Sequence, residues 1–420
     1  MIGRWVRGAA IVLAACALNA GASAQPAQPP LAAPIEHSEH LSRFFGGLAA
    51  LDPNAANPVN PAHTRVRVTQ LGDSHIAADM FSGHLRVLFQ SRFGDGGRGF
   101  VLPGKPWRSY WQANVSADQV GDWRVDLKGD GRDDGAQGPG NCAAASNDPR
   151  ARVTAASATK GDVGRHFSSV DVLFVRQGDG GCFEVRDGDV LLGRVGTRGP
   201  WPEPDGRRFQ LADGPHQISV SPLDAAPQTE TRLLGFSLEN PTGVIWDALG
   251  INGALARGLL RSTPEALSGV LQRLAPTLLV VSFGTNEAFD SNLSPDLYAR
   301  QLAAVLRALR TAAPDADCLL TGPGDALKGR RPPETFEPLY AAQRTQAEAA
   351  GCAFFDARTA MGGPGSIRAW RRAGMAQGDF VHLTREGYER LGDLLAAALL
   401  EGYETFRAPP APPPIPASEP

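Results

Sequence analysis

Two rhythms of apolar and polar positions divide the chain. From about residue 236 onward, short apolar runs alternate with longer segments whose apolar residues recur every three or four positions. Thr277–Phe283 is a continuous apolar run, as expected of a strand covered on both faces. Cys318–Thr321 and Cys352–Asp356 read as two more strands, and Arg65–Leu71 as another near the other end of the chain. The helices between them carry start signals. Thr263-Pro264-Glu265 offers a capping hydroxyl, a first-turn proline and an early acid, for a helix running to Leu274. Ser294-Pro295-Asp296 repeats the device for a helix running to about Ala312. Pro338–Ala350 is a third helix, and a last one begins near Thr384 and continues to about Tyr403. Ser38–Leu51 reads as a short helix stopped by Asp52-Pro53. This alternation predicts a parallel sheet with helices on both faces. Ligands of such folds bind at the carboxyl ends of the strands.

Residues 106–235 keep a different time. They are rich in Gly, Asp and Pro and hold short alternating runs at Ser169–Arg176, Cys182–Arg186, Val190–Val195, Arg208–Leu211 and His216–Val220. Turn dipeptides such as Asp187-Gly188 and Asp213-Gly214 separate them, a pattern that predicts a β-sandwich or jelly roll. The expected organisation is therefore an α/β domain over 36–105 and 236–405, interrupted by an inserted β-domain over 106–235. Residues 25–35 form a flexible lead-in rich in Pro, Ala and Gln, and 406–420 a proline-rich tail.

Composition narrows the context. The net charge of -3 over 420 residues shows no basic excess of the kind that binds nucleic acid. Arg4 and Arg7 precede the apolar stretch Ala9–Leu18, and Ala22-Ser23-Ala24 follows. This reads as a signal peptide over 1–24 and predicts a periplasmic or secreted protein. Leu13-Ala14-Ala15-Cys16 gives an alternative, a lipobox that would tether the protein through Cys16. No later segment reads as transmembrane. Export permits disulfides, and the simplest pairing of the remaining cysteines is Cys142–Cys182 with Cys318–Cys352, although four cysteines allow three connectivities. The sequence shows no zinc-ligand spacing, and no metal or other cofactor is expected.

The candidate chemistry sits in four separated segments: Gly72-Asp73-Ser74-His75, Gly250-Ile251-Asn252-Gly253, Gly284-Thr285-Asn286-Glu287 and Asp379-Phe380-Val381-His382. Ser74, Gly253 and Asn286 each follow a strand-like run and so fall on one sheet edge. Ser74 is the candidate nucleophile, a weak one until a neighbouring base takes its proton. Of the eight histidines, His382 alone has a carboxylate three residues earlier and a helix just after it. Asp379 is placed to fix its tautomer and to stabilise the imidazolium. The Asn286 amide and the backbone N–H groups of Ser74 and Gly253 are candidate oxyanion donors, with Gly250 open as a replacement for Gly253. Glu287 and Asp290 read as structural or rim residues. Each segment alone is ordinary turn chemistry; the set in this order is what points to a hydrolase.

Taken together the segments resemble the SGNH/GDSL hydrolase superfamily, whose four blocks contribute Ser, Gly, Asn and His. Here those are Ser74 in GDSH, Gly253 in GINGA, Asn286 in GTNE and His382 in DFVH. His75 departs from the leucine more usual in lipolytic members. The resemblance implies a three-layer α/β/α, flavodoxin-like hydrolase domain. Within the superfamily the chain looks most like bacterial peptidoglycan O-acetylesterases, through Phe93-Gly94-Asp95-Gly96-Gly97-Arg98-Gly99-Phe100 and an insert similar to a carbohydrate-binding module. That implies a serine esterase acting on an O-acetylated cell-envelope glycan. The same triad could instead pass acetyl to another sugar hydroxyl, or the chain could be a non-catalytic glycan-binding envelope protein. Trp107, Trp111, Trp123 and Trp201 fall in the insert and are candidates for sugar stacking or for its core.

Overall fold

The computed structural model describes residues 33–54, 64–127, 134–138, 140–224, 226 and 228–408. Residues 1–24, expected as a signal peptide, with Cys16, most of the lead-in and most of the proline-rich tail, lie outside the described residues. Along the chain, α1 (Ser42–Leu51) precedes β1 (Arg65–Gly72), α2 (Ser74–Ala77), α3 (Met80–Phe93) and β2 (Gly99–Val101). Ten strands follow: β3 (Val115–Val120), β4 (Arg124–Leu127), β5 (Cys142–Ser146), β6 (Arg152–Ser157), β7 (Phe167–Arg176), β8 (Cys182–Asp187), β9 (Val190–Gly196), β10 (Glu203–Gly214), β11 (Gln217–Pro222) and β12 (Thr231–Glu239). The remainder comprises β13 (Gly243–Gly250), α4 (Pro264–Leu274), β14 (Leu278–Ser282), α5 (Thr285–Phe289), α6 (Pro295–Ala312), β15 (Asp317–Thr321), α7 (Phe336–Ala349), β16 (Ala353–Phe355), α8 (Ala357–Ala360), α9 (Ile367–Arg372) and α10 (Arg385–Arg407).

The parallel sheet has the order β13-β1-β14-β15-β16. Numbered by first appearance this is 2-1-3-4-5, the flavodoxin-like arrangement. Strand alternation divides its side chains between two helical layers. Val66, Val68 and Val280 pack with Phe44 of α1, Leu85 and Phe89 of α3 and Leu395 of α10. Leu71, Leu279 and Val281 face Val270 of α4, Leu302 and Leu306 of α6 and Leu339 of α7. The expected helix starts are realised: the Thr263 and Ser294 side chains accept the N–H groups of Ala266 and Leu297, and Thr384 accepts that of Gly387. Among the described residues no helix is long and apolar enough to cross a membrane.

The other strands form two antiparallel sheets, β10-β7-β12-β5-β4 with β2 on the far side of β12, and β3-β6-β11-β8-β9. Strands β5 to β12 switch between the sheets in jelly-roll order, β5-β12-β7-β10 opposite β6-β11-β8-β9. Val172, Phe174 and Phe236 from one sheet and Val153, Phe183 and Val220 from the other share one apolar core. Trp123 is buried within it, whereas Trp111 and Trp201 are exposed.

One disulfide links Cys318 on β15 to Cys352 just before β16. The register pairs Leu319 with Ala353, so their preceding residues meet. The expected Cys142–Cys182 bridge is absent and both thiols are free. The reason is topological. Cys142 opens β5 and packs with Leu102 and Leu234 on the side facing the α/β domain, while Cys182 opens β8 in the opposite sheet.

Candidate active site

Strand register brings the four segments to one edge. Gly72 at the end of β1 pairs with Gly250 of β13 on one side and Ser282 of β14 on the other. The chain therefore leaves three neighbouring strands at one level, carrying Ser74, Gly253 and Asn286 just beyond them. Ser74 heads α2 rather than sitting on a bare turn. Asp73 caps that helix, its Oδ1 accepting the His75 N–H at 2.9 Å. Gly250 is packed beneath: a Cβ there would overlap the Ala77 nitrogen and approach the Asp73 carbonyl oxygen to 2.7 Å. Gly253 stands exposed with a left-handed φ of 69°, so of the two glycines it alone is open toward solvent.

His382 reaches Ser74 from the far end of the chain. Its Nε2 lies 2.9 Å from Ser74 Oγ, and its Nδ1 lies 2.7 Å from Asp379 Oδ2. Asp379 Oδ1 also accepts the N–H groups of Val381 and His382, each at 3.0 Å. Burial alone would raise this carboxyl; the hydrogen bonds from His382 and Val381 outweigh it and hold the group below its ordinary value. With Nδ1–H donated to Asp379, Nε2 is left to accept the Ser74 hydroxyl proton. The loop is pinned by Phe380 at a left-handed φ of 57°, whose carbonyl accepts the Leu327 N–H, and by Gln377, whose N–H donates to His382 O.

Asn286 is half-buried at the start of α5. Its Nδ2 donates to Ala254 O at 2.9 Å and lies 3.4 Å from Asp73 Oδ2. Glu287, buried next to it, accepts the Ala256 N–H at 2.7 Å and so ties the Gly253 loop to the Asn286 helix. Burial pushes the Glu287 carboxyl up to about 7, and the nearby Asp73 charge adds to the shift. Burial likewise raises Asp73 to about 7.

Two residues gained significance only from the structure. Asp73 joins the cap of α2 to the Asn286 amide; its position just ahead of a helix-opening serine was the available signal. His75 stacks on His382 with ring centroids 5.3 Å apart and an interplanar angle of 28°. Its Nδ1 lies 2.9 Å from Tyr388 Oη. Burial, then the neighbouring His382, push its imidazole down to about 3, so it stays neutral beside His382. The Phe93–Phe100 run proves structural. Arg98 is buried and binds Asp79, Gln112 and the carbonyls of Phe100 and Ala113. Among the described residues, His37, Glu39 and His40 alone bring three metal-ligating atoms within 4.8 Å of one another, and they share no residue with this site.

Known proteins share features of this chain. Residues 214–390 match the GDSL-like lipase/acylhydrolase family. Over that span the chain is similar to GDSL-like hydrolases. The matched span holds Gly253, Asn286, Asp379 and His382; Ser74 lies ahead of it, separated by the inserted strands. A solved peptidoglycan O-acetylesterase aligns with a TM-score of 0.70 and 22% identity, over 88% of this chain and 99% of that one. The SGNH fold and the jelly roll thus recur there as one architecture. A family two carbohydrate esterase from Cellvibrio japonicus aligns at 9% identity over 69% of this chain and 99% of its own, with a TM-score of 0.27. A lipase/acylhydrolase from Enterococcus faecalis aligns at 23% identity over 37% and 75%, with a TM-score of 0.30. No curated protein matches the chain.

Proposed function

We propose that this protein is an exported serine esterase that removes O-acetyl groups from a cell-envelope glycan, peptidoglycan in the first instance. The observation that carries the reading is the continuous chain Ser74 Oγ, His382 Nε2, His382 Nδ1, Asp379 Oδ2, with links of 2.9 and 2.7 Å. The shared two-part architecture with a peptidoglycan O-acetylesterase supports the choice of glycan.

Ser74 Oγ attacks the acetyl carbonyl carbon while His382 Nε2 takes the hydroxyl proton, and the carbonyl electron pair moves onto oxygen. The backbone N–H groups of Ser74 and Gly253 and the Asn286 amide receive that oxyanion. Ala254 O holds one Asn286 hydrogen at 2.9 Å; the longer 3.4 Å contact to Asp73 is the one the oxyanion displaces. Collapse breaks the bond to the sugar oxygen, which takes the proton from His382 and leaves the acetyl group on Ser74. Water then gives a proton to His382 as its oxygen attacks the acyl carbon, acetate departs, and Ser74 recovers its proton.

Acetate release from O-acetylated peptidoglycan, run beside acetylated xylan, tests the proposal. Ser74→Ala and His382→Ala are each expected to lower turnover by at least about 10³-fold with the fold intact by circular dichroism. Near-normal release by Ser74→Ala would end the assignment.

A further inference from the structure

A cavity of about 400 Å³ opens beside the oxyanion position, within the range of small-molecule sites. Gly72 and Gly253 are among its lining residues, Ile251 and Phe283 give it apolar walls, and no carboxylate lines it. Two of its other lining residues come from different parts of the fold. Asn141, in the turn entering β5, comes from the jelly roll; Arg257, in the turn after Gly253, comes from the hydrolase domain.

Both have unmet chemistry. Asn141 is 8% exposed, holds a left-handed φ of 47°, and buries its Oδ1 with no hydrogen-bond partner. A buried acceptor left unpaired is costly, so this atom is available to a donor that enters the cavity. Arg257 is exposed and makes no ion pair or side-chain hydrogen bond among the described residues. Arg67, Arg86, Arg98, Arg208 and Arg273 are each held by carboxylates. A free guanidinium fork at the mouth of a cavity without acids suits a carboxylate.

We infer that this cavity is the subsite for the acetylated sugar, with Arg257 recognising a carboxylate and Asn141 accepting an acetamido N–H or a hydroxyl. The inference rests on the esterase reading above and narrows it to acidic glycans. In peptidoglycan the carboxylate has two sources, the free lactyl group of a muramic residue without a stem or, where the stem is amide-linked to that group, the carboxylates of the stem itself. Neutral acetylated xylan offers neither a carboxylate nor an acetamido group.

The test compares Arg257→Gln, Arg257→Lys and Asn141→Ala on four substrates: an O-acetylated muropeptide with its stem, the same sugar without the stem, an acetylated xylo-oligosaccharide and 4-nitrophenyl acetate. Arg257→Gln is expected to lower kcat/KM on an acidic substrate about tenfold more than on the xylo-oligosaccharide, chiefly through KM, as befits loss of one charge-assisted contact. Arg257→Lys should recover most of the difference. Asn141→Ala should act most strongly on the N-acetylated sugars. A drop confined to the stem-bearing muropeptide assigns the stem carboxylate; a drop confined to the stem-free sugar assigns the lactyl carboxylate, which the stem-bearing substrate holds as an amide; a drop on both shows that Arg257 accepts either carboxylate. Equal losses on acidic and neutral substrates, or no loss on any, overturn the inference. The esterase reading fails separately, by acetate release that survives Ser74→Ala.

Discussion

Asp379→Asn separates what the carboxylate does to His382 from what it does to the loop. In the parent, Oδ1 accepts the Val381 and His382 N–H groups and Oδ2 accepts Nδ1–H. Asparagine can keep the first two bonds through its own oxygen, so the loop and the fold should survive. Its amide N–H groups then stand where Oδ2 stood, facing Nδ1. The imidazole is driven into the tautomer with hydrogen on Nε2, which points a donor at Ser74 and removes the base. Regaining the reactive tautomer forfeits a hydrogen bond and opposes two donors, a cost of about 1.5–3 kcal/mol. The lost charge adds less, because the Asp379 side chain is 45% exposed. At about 4 Å with an effective dielectric near that of water, its stabilisation of the imidazolium is about 1 kcal/mol. Together these predict a loss in kcat of about 10²–10³, below the ~10⁴ found where the corresponding carboxylate is buried. Asp379→Ala places no donor opposite Nδ1 and should lose only about 10–10²-fold, since water can accept that proton. The assay is steady-state hydrolysis of 4-nitrophenyl acetate at pH 7, with melting curves as a control. Activity of Asp379→Asn within threefold of the parent, or Asp379→Ala clearly slower than Asp379→Asn, would refute the tautomer argument.

Other perturbations act on the supports of the site. Glu287 and Asp73 are raised to about 7 by burial, so the stability they contribute is present at low pH and lost as pH rises through 7. The unfolding free energy should fall by on the order of 1 kcal/mol per group between pH 6.5 and 8.5, less a smaller opposing rise as the unfolded His75 imidazole loses its proton near 6.5, and Glu287→Gln should flatten the slope in urea titrations. Replacing Cys318 and Cys352 by serine opens a link spanning 34 residues and should destabilise by up to about 3–4 kcal/mol, read as a lower Tm that the parent reproduces under reductant. Asp79 accepts from Arg86, Arg98 and the Ala113 N–H with no exposure to solvent. Asp79→Asn leaves two buried guanidinium groups without a counter-charge and should cost about 3–5 kcal/mol in chemical denaturation; a cost under 1 kcal/mol would show that the charge is dispensable.

The α/β part was legible because its signals are local. Pro264 and Pro295 at helix starts and the apolar runs of β14 and β15 declare themselves without tertiary help, and α6 begins and ends at the expected residues. The jelly roll was legible only where strands alternate. Strand β5, Cys142–Ser146, is three alanines between a cysteine and a serine, with no β-branched residue, and is a strand because it is buried between β12 and β4. Strand β10 runs from Glu203 to Gly214, far beyond the Arg208–Leu211 core, because its pairing with β7 extends it through polar residues that pattern alone assigns to loop. Of the candidate site, Ser74, Gly253 and Asn286 stood out because each follows a strand-like run, and His382 because Asp379 precedes it by three residues and a helix follows. Its supports were not. Asp73 joining Asn286, Glu287 holding the Gly253 loop and His75 stacking on His382 depend on side chains meeting across 200 or more residues or on burial, neither of which spacing reveals.

The interruption between Ser74 and Gly253 does not loosen the site, because its last strand is welded to the strand beside the serine. Strand β12 passes through Asn240-Pro241-Thr242 directly into β13, which pairs along its whole length with β1. Buried charge fixes the junction. Arg67 of β1 binds Glu239 of β12 at 3.0 Å and lies 3.3 Å from Asp247 of β13, and Arg208 of β10 joins Glu239 at 2.9 Å. Burial alone would raise the Glu239 carboxyl; Arg67 and Arg208 more than offset this and hold it near 2, so the cluster stays ionised across the working pH range. Removing one partner of such a cluster strands the others in a dry environment, so the hinge between β12 and β13 has little freedom to open. Strand β5, which starts just after Asn141, pairs with β12. Asn141 is therefore connected to Ser74 through β5, β12, β13 and β1 by continuous pairing and chain, with no flexible linker between them. A jelly roll mounted in this way can contribute a wall to the cavity at a fixed distance from Ser74, which a tethered binding module could not.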